Sequence, residues 1–183
     1  SVCHYITQLL EESGKKVGML TTVDISINGQ RTLNKTKMTT LDSNTLQNYL
    51  KQMADAGCTH AVVETTSHAL EQNRVHGLYY DTVVFTNLTH EHLDYHKTME
   101  AYGQAKQKLF MNRPRIMIVN ADDPASPDFL KHPATRKYSF GINDQLRPKN
   151  SALKPDFVAS SLKNTPDGTA FELVTPFGEI SLT

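Results

Sequence analysis

The sequence predicts an α/β protein in which a mostly parallel β-sheet is flanked by helices. Short apolar, β-branched segments alternate with segments whose apolar residues recur at helical spacing. Such alternation is typical of parallel strands joined by right-handed crossovers. From about residue 135 it gives way to short strands separated by Asn, Asp, Gly and Pro turns. We therefore expect a parallel part over about residues 1–134 and a small antiparallel sheet over about residues 135–183.

Length and composition indicate one globular domain and argue against several classes of protein. The 183 residues are 38% hydrophobic, which is enough for one sizeable core. Lys plus Arg and Asp plus Glu both number 19, so no basic field points to nucleic acid. No apolar run approaches the roughly 20 residues of a membrane span, and two unclustered cysteines fit a reducing compartment. We expect a cytoplasmic monomer with neither a nucleic-acid nor a membrane partner.

The first half of the chain predicts two helices and three strands. The first helix is predicted by apolar residues at i, i+3, i+4, i+7 and i+8: Val2, Tyr5, Ile6, Leu9 and Leu10. One strand over residues 16–27 and a return strand over residues 30–33 follow, joined by a tight turn. A second helix is capped by Asp42 or Ser43, and residues 59–63 form a short apolar strand.

The second half contains the stretch around which the predicted fold is organised. An apolar strand over residues 82–86 leads into a polar loop over residues 90–96, and a helix starts near Thr98. A further strand over residues 115–119 ends in the polar residues 120–123. Open α/β sheets bind their ligands at the carboxyl ends of the strands. We therefore expect the ligand site beside this loop.

Polar residues follow two predicted strands where those strands end. Glu64 follows the strand over residues 59–63, and Asn87 and the 90–96 loop follow the next strand. Glu64 and His92 could supply a magnesium site, because Mg²⁺ takes oxygen ligands with an occasional imidazole. A carboxylate stabilised by a helix N-terminus explains Glu64 equally well.

The histidine loop permits a different metal. His90, His92, Asp94 and His96 come within one residue of the H-x-H-x-D-H pattern of metallo-β-lactamase-like zinc hydrolases, but Tyr95 breaks it. A zinc-dependent hydrolase using the His90–His96 loop is therefore an alternative function. Histidines that are hydrogen-bonded in a loop without a metal are a third interpretation.

Lys106 lies on the apolar face of the helix that starts near Thr98, between Tyr102 and Phe110. A lysine in this position either extends its ammonium group to water or is held inside for a chemical purpose. Its place one helix after the histidine loop favours the chemical purpose.

Two further pairs are weaker candidates. Thr39 and Thr40 could offer hydroxyl groups to a ligand, although turn and capping roles are common for such residues. Gln72 and Arg74 could bind an amide or an anion, or could be ordinary surface residues.

Three segments together carry a resemblance to a known family: VVETTSHALEQNRV, FTNLTHEHLDYHKTMEAYGQAKQKLF and IVNADDP. In this order and at these spacings they resemble the central ATP-binding domain of the Mur ligases. The resemblance extends over nearly the whole chain. It is strongest to the MurE type, which adds the third residue of the peptidoglycan stem to a UDP-N-acetylmuramoyl-dipeptide.

The resemblance implies a P-loop-like fold and a ligase mechanism. ATP would phosphorylate a substrate carboxylate to an acyl phosphate, which the amine of an incoming amino acid would attack. The partners would be a UDP-N-acetylmuramoyl-peptide and an amino acid, and the cofactors would be ATP and two magnesium ions. Such chemistry depends on positioning and on charge neutralisation.

The resemblance also assigns roles to residues of this chain. Glu64, His92 and Lys106 would be catalytic metal ligands, with Lys106 carbamylated so that it can bind the second magnesium ion. Asn87 and Ser1 would contact the nucleotide. The remaining positions would contact the UDP-N-acetylmuramoyl-peptide: Thr39, Thr40, Thr66, Ser67, Gln72 and Arg74.

The chain departs from the family pattern in ways that affect the prediction. Thr65-Thr66 stands where Val-Ser is usual, Glu91 where Asp is usual and Lys97 where Gly is common. The phosphate loop G-x-x-x-x-G-K-[ST] is absent from these residues, and Ser1 would directly follow it. We expect one truncated central domain over residues 1–183, without the UDP-binding and C-terminal domains and inactive in isolation. A non-catalytic Mur-like binding domain is the remaining alternative.

Overall fold

The computed structural model describes residues 1–143, 153–166 and 168–182. Residues 144–152, 167 and 183 of the predicted antiparallel part lie outside the described residues. The chain divides into two compact units, Ser1–Leu78 and Tyr79–Thr183. Each unit has its own sheet and is described by itself, and the single domain over residues 1–183 stays a prediction.

The first unit, in which every residue is described, is a four-stranded sheet with the order β3-β2-β1-β4. Its elements are α1 (Val2–Glu12), β1 (Val17–Leu20), β2 (Asp24–Ile27), β3 (Gln30–Leu33), α2 (Ser43–Asp55), β4 (His60–Val63) and α3 (Ser67–Glu71). β1 pairs parallel with β4 and antiparallel with β2, and β2 pairs antiparallel with β3. The parallel pair brings the carboxyl ends of β1 and β4 to the same edge of the sheet.

The prediction of one strand over residues 16–27 is wrong, because a turn divides it into β1 and β2. Thr21 N donates to Asp24 O at 3.0 Å, and the Thr21 hydroxyl lies 2.9 Å from the same carbonyl oxygen. Val23 at the tip is 62% exposed. The β-branched residues here favour extended backbone locally, but the threonine side chain stabilises a turn instead.

The predicted helices of this unit are present, with one difference in packing. Asp42 caps α2 by accepting from Thr45 N at 3.1 Å, as one of the two predicted capping residues. The α1 helix packs against β1 and β4 through a face that includes the fully buried Thr7, whereas Tyr5 and Leu9 of its apolar stripe are 70% and 71% exposed. The helical period was therefore predicted correctly, but the buried face is centred on Thr7 and includes the stripe only through the half-buried Ile6 and Leu10.

The second unit is a six-stranded sheet with the order β10-β9-β8-β7-β6-β5. Its elements are β5 (Thr82–Phe85), α4 (Leu93–His96), α5 (Met99–Gln107), a 3₁₀ turn (Lys108–Phe110), β6 (Ile116–Asn120), α6 (Ser126–Leu130), β7 (Arg136–Ile142), β8 (Phe157–Thr165), β9 (Gly168–Thr175) and β10 (Gly178–Leu182). The pairs from β5 to β8 are parallel, and those from β8 to β10 are antiparallel.

The strand predicted near residues 137–140 was assigned to the antiparallel part, and this pairing is wrong. β7 pairs parallel with both β6 and β8, so within this unit antiparallel pairing begins between β8 and β9. Ser139 N and Ser139 Oγ donate to Asp156 Oδ2 at 2.7 and 2.8 Å, which joins β7 to the start of β8. Residues 137–140 alternate polar and apolar side chains, a pattern more typical of antiparallel strands, so the local sequence favoured the wrong direction.

The core of the second unit is built around three phenylalanines. The Phe129 ring stacks on Phe85 with centroids 3.8 Å apart and meets the edge of Phe110 at 4.9 Å. All three side chains are buried. Phe129 belongs to α6, a short helix that the sequence analysis did not predict.

Among the helices of the described residues, none has the length and apolar character that crossing a lipid bilayer would need.

Candidate functional site

Most of the predicted substrate-binding residues meet at the carboxyl ends of β1 and β4. Four hydroxyl side chains here form what we call the threonine cluster: Thr22, Thr39, Thr40 and Thr66. The Thr22 hydroxyl donates to Thr39 Oγ1 at 2.9 Å, and Thr40 Oγ1 lies 3.4 Å from Thr66 Oγ1. Because β1 and β4 are parallel and pair as far as Leu20 and Val63, the residues after both strands are brought to one edge.

Glu64 directly follows β4 and is held by the residue that follows β1. Thr22 N donates to Glu64 Oε2 at 3.0 Å, and the Thr22 hydroxyl lies 3.3 Å from the same oxygen. The first turn of α3 contains no acidic residue, and its N-cap is Thr66. The structure therefore does not show the helix-dipole role that was an alternative for Glu64.

Thr40 connects the two sides of the threonine cluster. Its side chain is buried, and its hydroxyl donates to Glu64 O at 2.9 Å and accepts from Thr66 N at 2.9 Å. Arg74 Nη1 donates to Thr40 O at 2.9 Å, and Arg74 Nε donates to Gln72 Oε1 at 2.8 Å. Ser67, the buried first residue of α3, follows Thr66. The six predicted substrate-binding residues and Glu64 thus lie in the first unit. Hydrogen bonds link Thr39, Thr40, Thr66, Gln72, Arg74 and Glu64 into one network, with Thr22 joining Thr39 to Glu64.

Replacing Thr40 by valine is expected to open the threonine cluster. Valine keeps the shape but leaves Thr66 N and Glu64 O without the partner they have in the structure, at a cost of about 2 kcal/mol. Hydrogen exchange at the Thr66 amide measures this loss directly, and we expect exchange to become roughly 30-fold faster. Thr40→Ser, which keeps the hydroxyl, is the matched control. Unchanged protection of the Thr66 amide in Thr40→Val would contradict the assigned network.

In the second unit, Lys106 projects from α5 towards the end of β5. Its Nζ donates to Asn87 O at 2.8 Å and lies 4.9 Å from the centroid of the Tyr102 ring. Burial lowers the pKa of the Lys106 amine from its ordinary value, and the carboxylates of Asp123 and Glu91 oppose this shift. The side chain is half-buried, so Lys106 is not a lysine that simply extends its charge into water.

Two histidines of the loop, His92 and His96, pack against the Tyr102 ring. His96 is 7% exposed and stacks on Tyr102 with ring centroids 5.2 Å apart. The exposed His92 precedes α4 with φ 59° and ψ 21°, in the left-handed region, and meets the edge of Tyr102 at 5.8 Å. Among the residues that the structure describes, no three His, Cys, Asp or Glu side chains form a group suited to a metal ion. This geometry does not support the zinc-hydrolase alternative.

Lys97 also adopts a conformation that depends on the loop. Its φ of 68° lies in the left-handed region, which glycine adopts without strain and lysine rarely adopts. Glycine is the common residue at this position in the family that the sequence resembles. The local backbone therefore keeps the conformation that a glycine would allow, even though the residue is different.

Sequence reasoning missed Thr22, and it gave Asp123 and Tyr102 no role in the contacts that they make here. Thr22 was overlooked because residues 16–27 were predicted as one strand, which hid the carboxyl end of β1. Asp123, a buried residue after β6, accepts from Leu88 N at 2.7 Å. Its negative charge opposes the lowering of the Lys106 pKa by burial. Tyr102 was recognised as an apolar neighbour of Lys106, but its contacts with His92 and His96 depend on the fold of the loop. Thr22 would have been a candidate if the end of β1 had been placed at Leu20, because ligands bind at the carboxyl ends of parallel strands.

Glu64 lies in the first unit, whereas Asn87, His92 and Lys106 lie in the second. Ser1 caps the N-terminus of α1 by position, in the first unit. The roles of all these residues in binding metal or nucleotide stay predictions.

Comparison with known proteins relates the chain to a group of ligases. The family described as the Mur ligase middle domain matches residues 1–183. The chain is 40% identical over 187 residues to a UDP-N-acetylmuramoyl-L-alanyl-D-glutamate–2,6-diaminopimelate ligase of Geobacillus thermodenitrificans, covering 98% of this chain and 36% of that protein. It is 41% identical over 191 residues to the protein of the same name from Bacillus velezensis, covering 100% and 37%.

Solved structures of ligases share the fold of this chain. A UDP-N-acetylmuramoyl-L-alanyl-D-glutamate–2,6-diaminopimelate ligase has a TM-score of 0.83 and 28% identity, with coverage of 100% of this chain and 36% of that one. MurF ligase from Thermotoga maritima shares the fold at a TM-score of 0.62 and 14% identity, covering 97% and 36%. The chain thus spans about a third of the length of its curated relatives. Because the match extends over every residue, the chain belongs to the Mur ligase middle domain family.

Proposed function

We propose that this chain is the middle domain of an ATP-dependent ligase that adds the third amino acid to a UDP-N-acetylmuramoyl-dipeptide in peptidoglycan synthesis. The observation that carries the proposal is Lys106, a half-buried amine whose pKa is lowered and which is held between Asn87 O and the Tyr102 ring. The names of the relatives that are about 40% identical support the same activity. They also favour 2,6-diaminopimelate as the added amino acid.

Lys106 is suited to become a carbamate. Carbamylation requires the neutral amine, whose nitrogen bonds to the carbon of CO₂ and loses a proton, and burial increases the neutral fraction. The ammonium form of Lys106 cannot bind a cation, whereas the carbamate provides an oxygen ligand of the kind that Mg²⁺ prefers. We assign the carbamylated Lys106 to a magnesium ion on this basis.

Glu64 and His92 have the donor chemistry of magnesium ligands. Glu64 is a half-buried carboxylate whose Oε2 is oriented by Thr22, and His92 is an exposed imidazole that rests edge-on against Tyr102. Bound magnesium would neutralise the charge that develops on the phosphates. Asn87 and Ser1 are assigned to the nucleotide. A solved MurF structure of the same fold is a complex with ADP, which is compatible with this assignment.

The threonine cluster is assigned to the UDP-N-acetylmuramoyl-peptide, with different roles for its members. The hydroxyl of the buried Thr40 both donates and accepts within the protein, so Thr40 positions Thr66 and the Glu64 backbone. The exposed Gln72 and the half-buried Thr39 and Arg74 are better placed to meet the substrate. Arg74 offers a guanidinium group, which pairs with carboxylates or phosphates.

The full-length product of the gene that encodes these residues provides the test. We expect it to consume ATP and to form a product heavier by one amino acid only when UDP-N-acetylmuramoyl-L-alanyl-D-glutamate and 2,6-diaminopimelate are both present. Phosphate release and product mass are the measurements, and lysine in place of diaminopimelate is the comparison. Turnover with lysine alone would overturn the choice of amino acid, and no ATP-dependent product with either would overturn the proposed function.

A further inference from the structure

Where β6 ends, two side chains hold the main chain on both sides of Asn87. Asn120 Nδ2 donates to Thr86 O at 2.8 Å, and Leu88 N donates to Asp123 Oδ2 at 2.7 Å. Neither Asn120 nor Asp123 has a role in the proposed function. Both nevertheless act on the main chain of the residue whose carbonyl oxygen holds Lys106.

Asp123 divides its two carboxylate oxygens between its own turn and the neighbouring strand. The residue is buried, and its Oδ1 accepts from Ala125 N at 2.9 Å, a bond within the turn. Its Oδ2 accepts from Leu88 N, which lies 35 residues away in the sequence. The local bond orients the carboxylate, and the distant bond fixes the position of residue 88.

One peptide group connects Asp123 to Lys106. The Leu88 N–H and the Asn87 C=O belong to the same trans peptide, so they point in opposite directions. The N–H donates to Asp123, and the carbonyl oxygen accepts from Lys106 Nζ at 2.8 Å. Hydrogen bonds in a chain polarise one another, so a carboxylate on the N–H makes the carbonyl oxygen a stronger acceptor. Asp123 therefore affects both the direction and the strength of the contact that holds Lys106.

The Leu88 side chain also packs against the helix that carries Lys106. A Cβ atom at Gly103 of α5 would lie 3.4 Å from Leu88 Cδ2. Gly103 is three residues before Lys106, so both lie on the same side of α5. Leu88 packs against the phenylalanine core of this unit as well. A displacement of the 87–88 peptide would therefore change where Lys106 Nζ is held.

We propose that Asp123 is a positioning residue for Lys106: by fixing the peptide between Asn87 and Leu88, it fixes the direction in which the carbamate on Lys106 points. This inference rests on the proposed function, because the carbamate is assigned there. Carbamylation joins Nζ of the neutral amine to the carbon of CO₂ and releases one proton, so Nζ keeps one hydrogen. Donation of this hydrogen to Asn87 O fixes the plane of the carbamate and the directions of its two oxygens.

Asp123→Ser in the full-length protein separates this role from the role of Asp123 in its own turn. A serine hydroxyl can accept from Ala125 N, as serine does in such turns, but it has no second oxygen for Leu88 N. We expect the Leu88 amide to exchange its hydrogen about tenfold faster. We also expect the ¹³C signal of the Lys106 carbamate, recorded with labelled bicarbonate and without nucleotide, to shift or broaden.

Kinetics tests whether Asp123 acts through Lys106. Asp123→Ser is expected to lower kcat about tenfold in the wild-type background and by less than about twofold in the Lys106→Arg background, because residues that act through one contact are not additive. A purely structural role would lower kcat by the same factor in both backgrounds.

Asp122→Ser is the matched control, because Asp122 is the neighbouring carboxylate and accepts from Ile142 N of β7 at 2.9 Å. We expect its Leu88 exchange and its carbamate signal to match those of the wild type. Equal losses of kcat in the two backgrounds, an unchanged carbamate signal in Asp123→Ser, or equally fast Leu88 exchange in Asp122→Ser would overturn the inference while the proposed function stands.

Thermal unfolding checks that each variant is folded. If Asp123→Ser does not fold, Asp123→Asn takes its place, because asparagine supplies one oxygen for the two N–H donors. Failure of both variants to fold shows a structural role and overturns the inference. A wild type without a carbamate signal overturns the carbamate and this inference with it, whereas a wild type without ATP-dependent turnover overturns the proposed function itself.

Discussion

Lys106→Arg is expected to lower the kcat of the full-length ligase by about 10²–10³-fold. Arginine keeps the positive charge and can still pack on the Tyr102 ring, but it cannot be carbamylated. It therefore removes the proposed magnesium ligand while preserving the contact with Tyr102 that the structure shows. Steady-state kinetics with ATP and both substrates is the measurement. Near-normal turnover in this variant would rule out the carbamate as part of the mechanism.

Carbon dioxide separates the carbamate from other roles of Lys106. Wild-type activity is expected to fall when CO₂ is removed from the buffers and to return with bicarbonate, whereas the activity left in Lys106→Arg should not respond. In the wild type, ¹³C-labelled bicarbonate should give a carbamate NMR signal that Lys106→Arg lacks. Lys131→Arg is the control. Lys131 is an exposed lysine, and it forms a surface ion pair with Asp128. Loss of activity in that variant would point to a general effect of lysine replacement.

Phe129→Ala is expected to destabilise the second unit by about 4 kcal/mol, because a fully buried ring is removed from contact with Phe85 and Phe110. Hydrogen exchange of the amides of β5 and β6 reports the change within this unit, and we expect their exchange to become roughly 1000-fold faster. Local measurement is preferable to a single melting temperature, because a protein with several units need not unfold in one step.

Phe177→Ala provides the matched control for the same type of substitution. The Phe177 side chain is 79% exposed, so its removal should change the free energy of unfolding by less than about 0.5 kcal/mol. Equal effects of the two substitutions on β5 and β6 would contradict the packing of α6 against this sheet.

Local signals in the sequence were sufficient where neighbouring residues decide the structure. Thr98 accepts from Ala101 N at 3.1 Å and caps α5, which agrees with the predicted helix start near Thr98. Asp42 caps α2 for the same reason. The α/β class was also predictable, because alternating strand and helix periods leave few ways to bury both sets of apolar residues. The family resemblance was carried by short motifs whose spacing is visible in the chain.

Contacts between distant residues decided the rest. The direction of β7 depends on Asp156 as well as on its own residues, and the buried face of α1 depends on β1 and β4 rather than on the apolar stripe. The unusual environment of Lys106 arises from Asn87 and Tyr102 together.

Residue types and their spacing therefore determined the fold class and the starts of α2 and α5, and the family resemblance selected the candidate site residues. Only the tertiary structure decided which residues share hydrogen bonds: Thr22 with Glu64, Thr40 with Thr66, and Asp123 with Leu88. The physical reason is that capping and periodicity act within a few residues. Strand pairing and many side-chain hydrogen bonds join residues that are far apart in the chain. The residues next to each position do not show which distant residue it will contact.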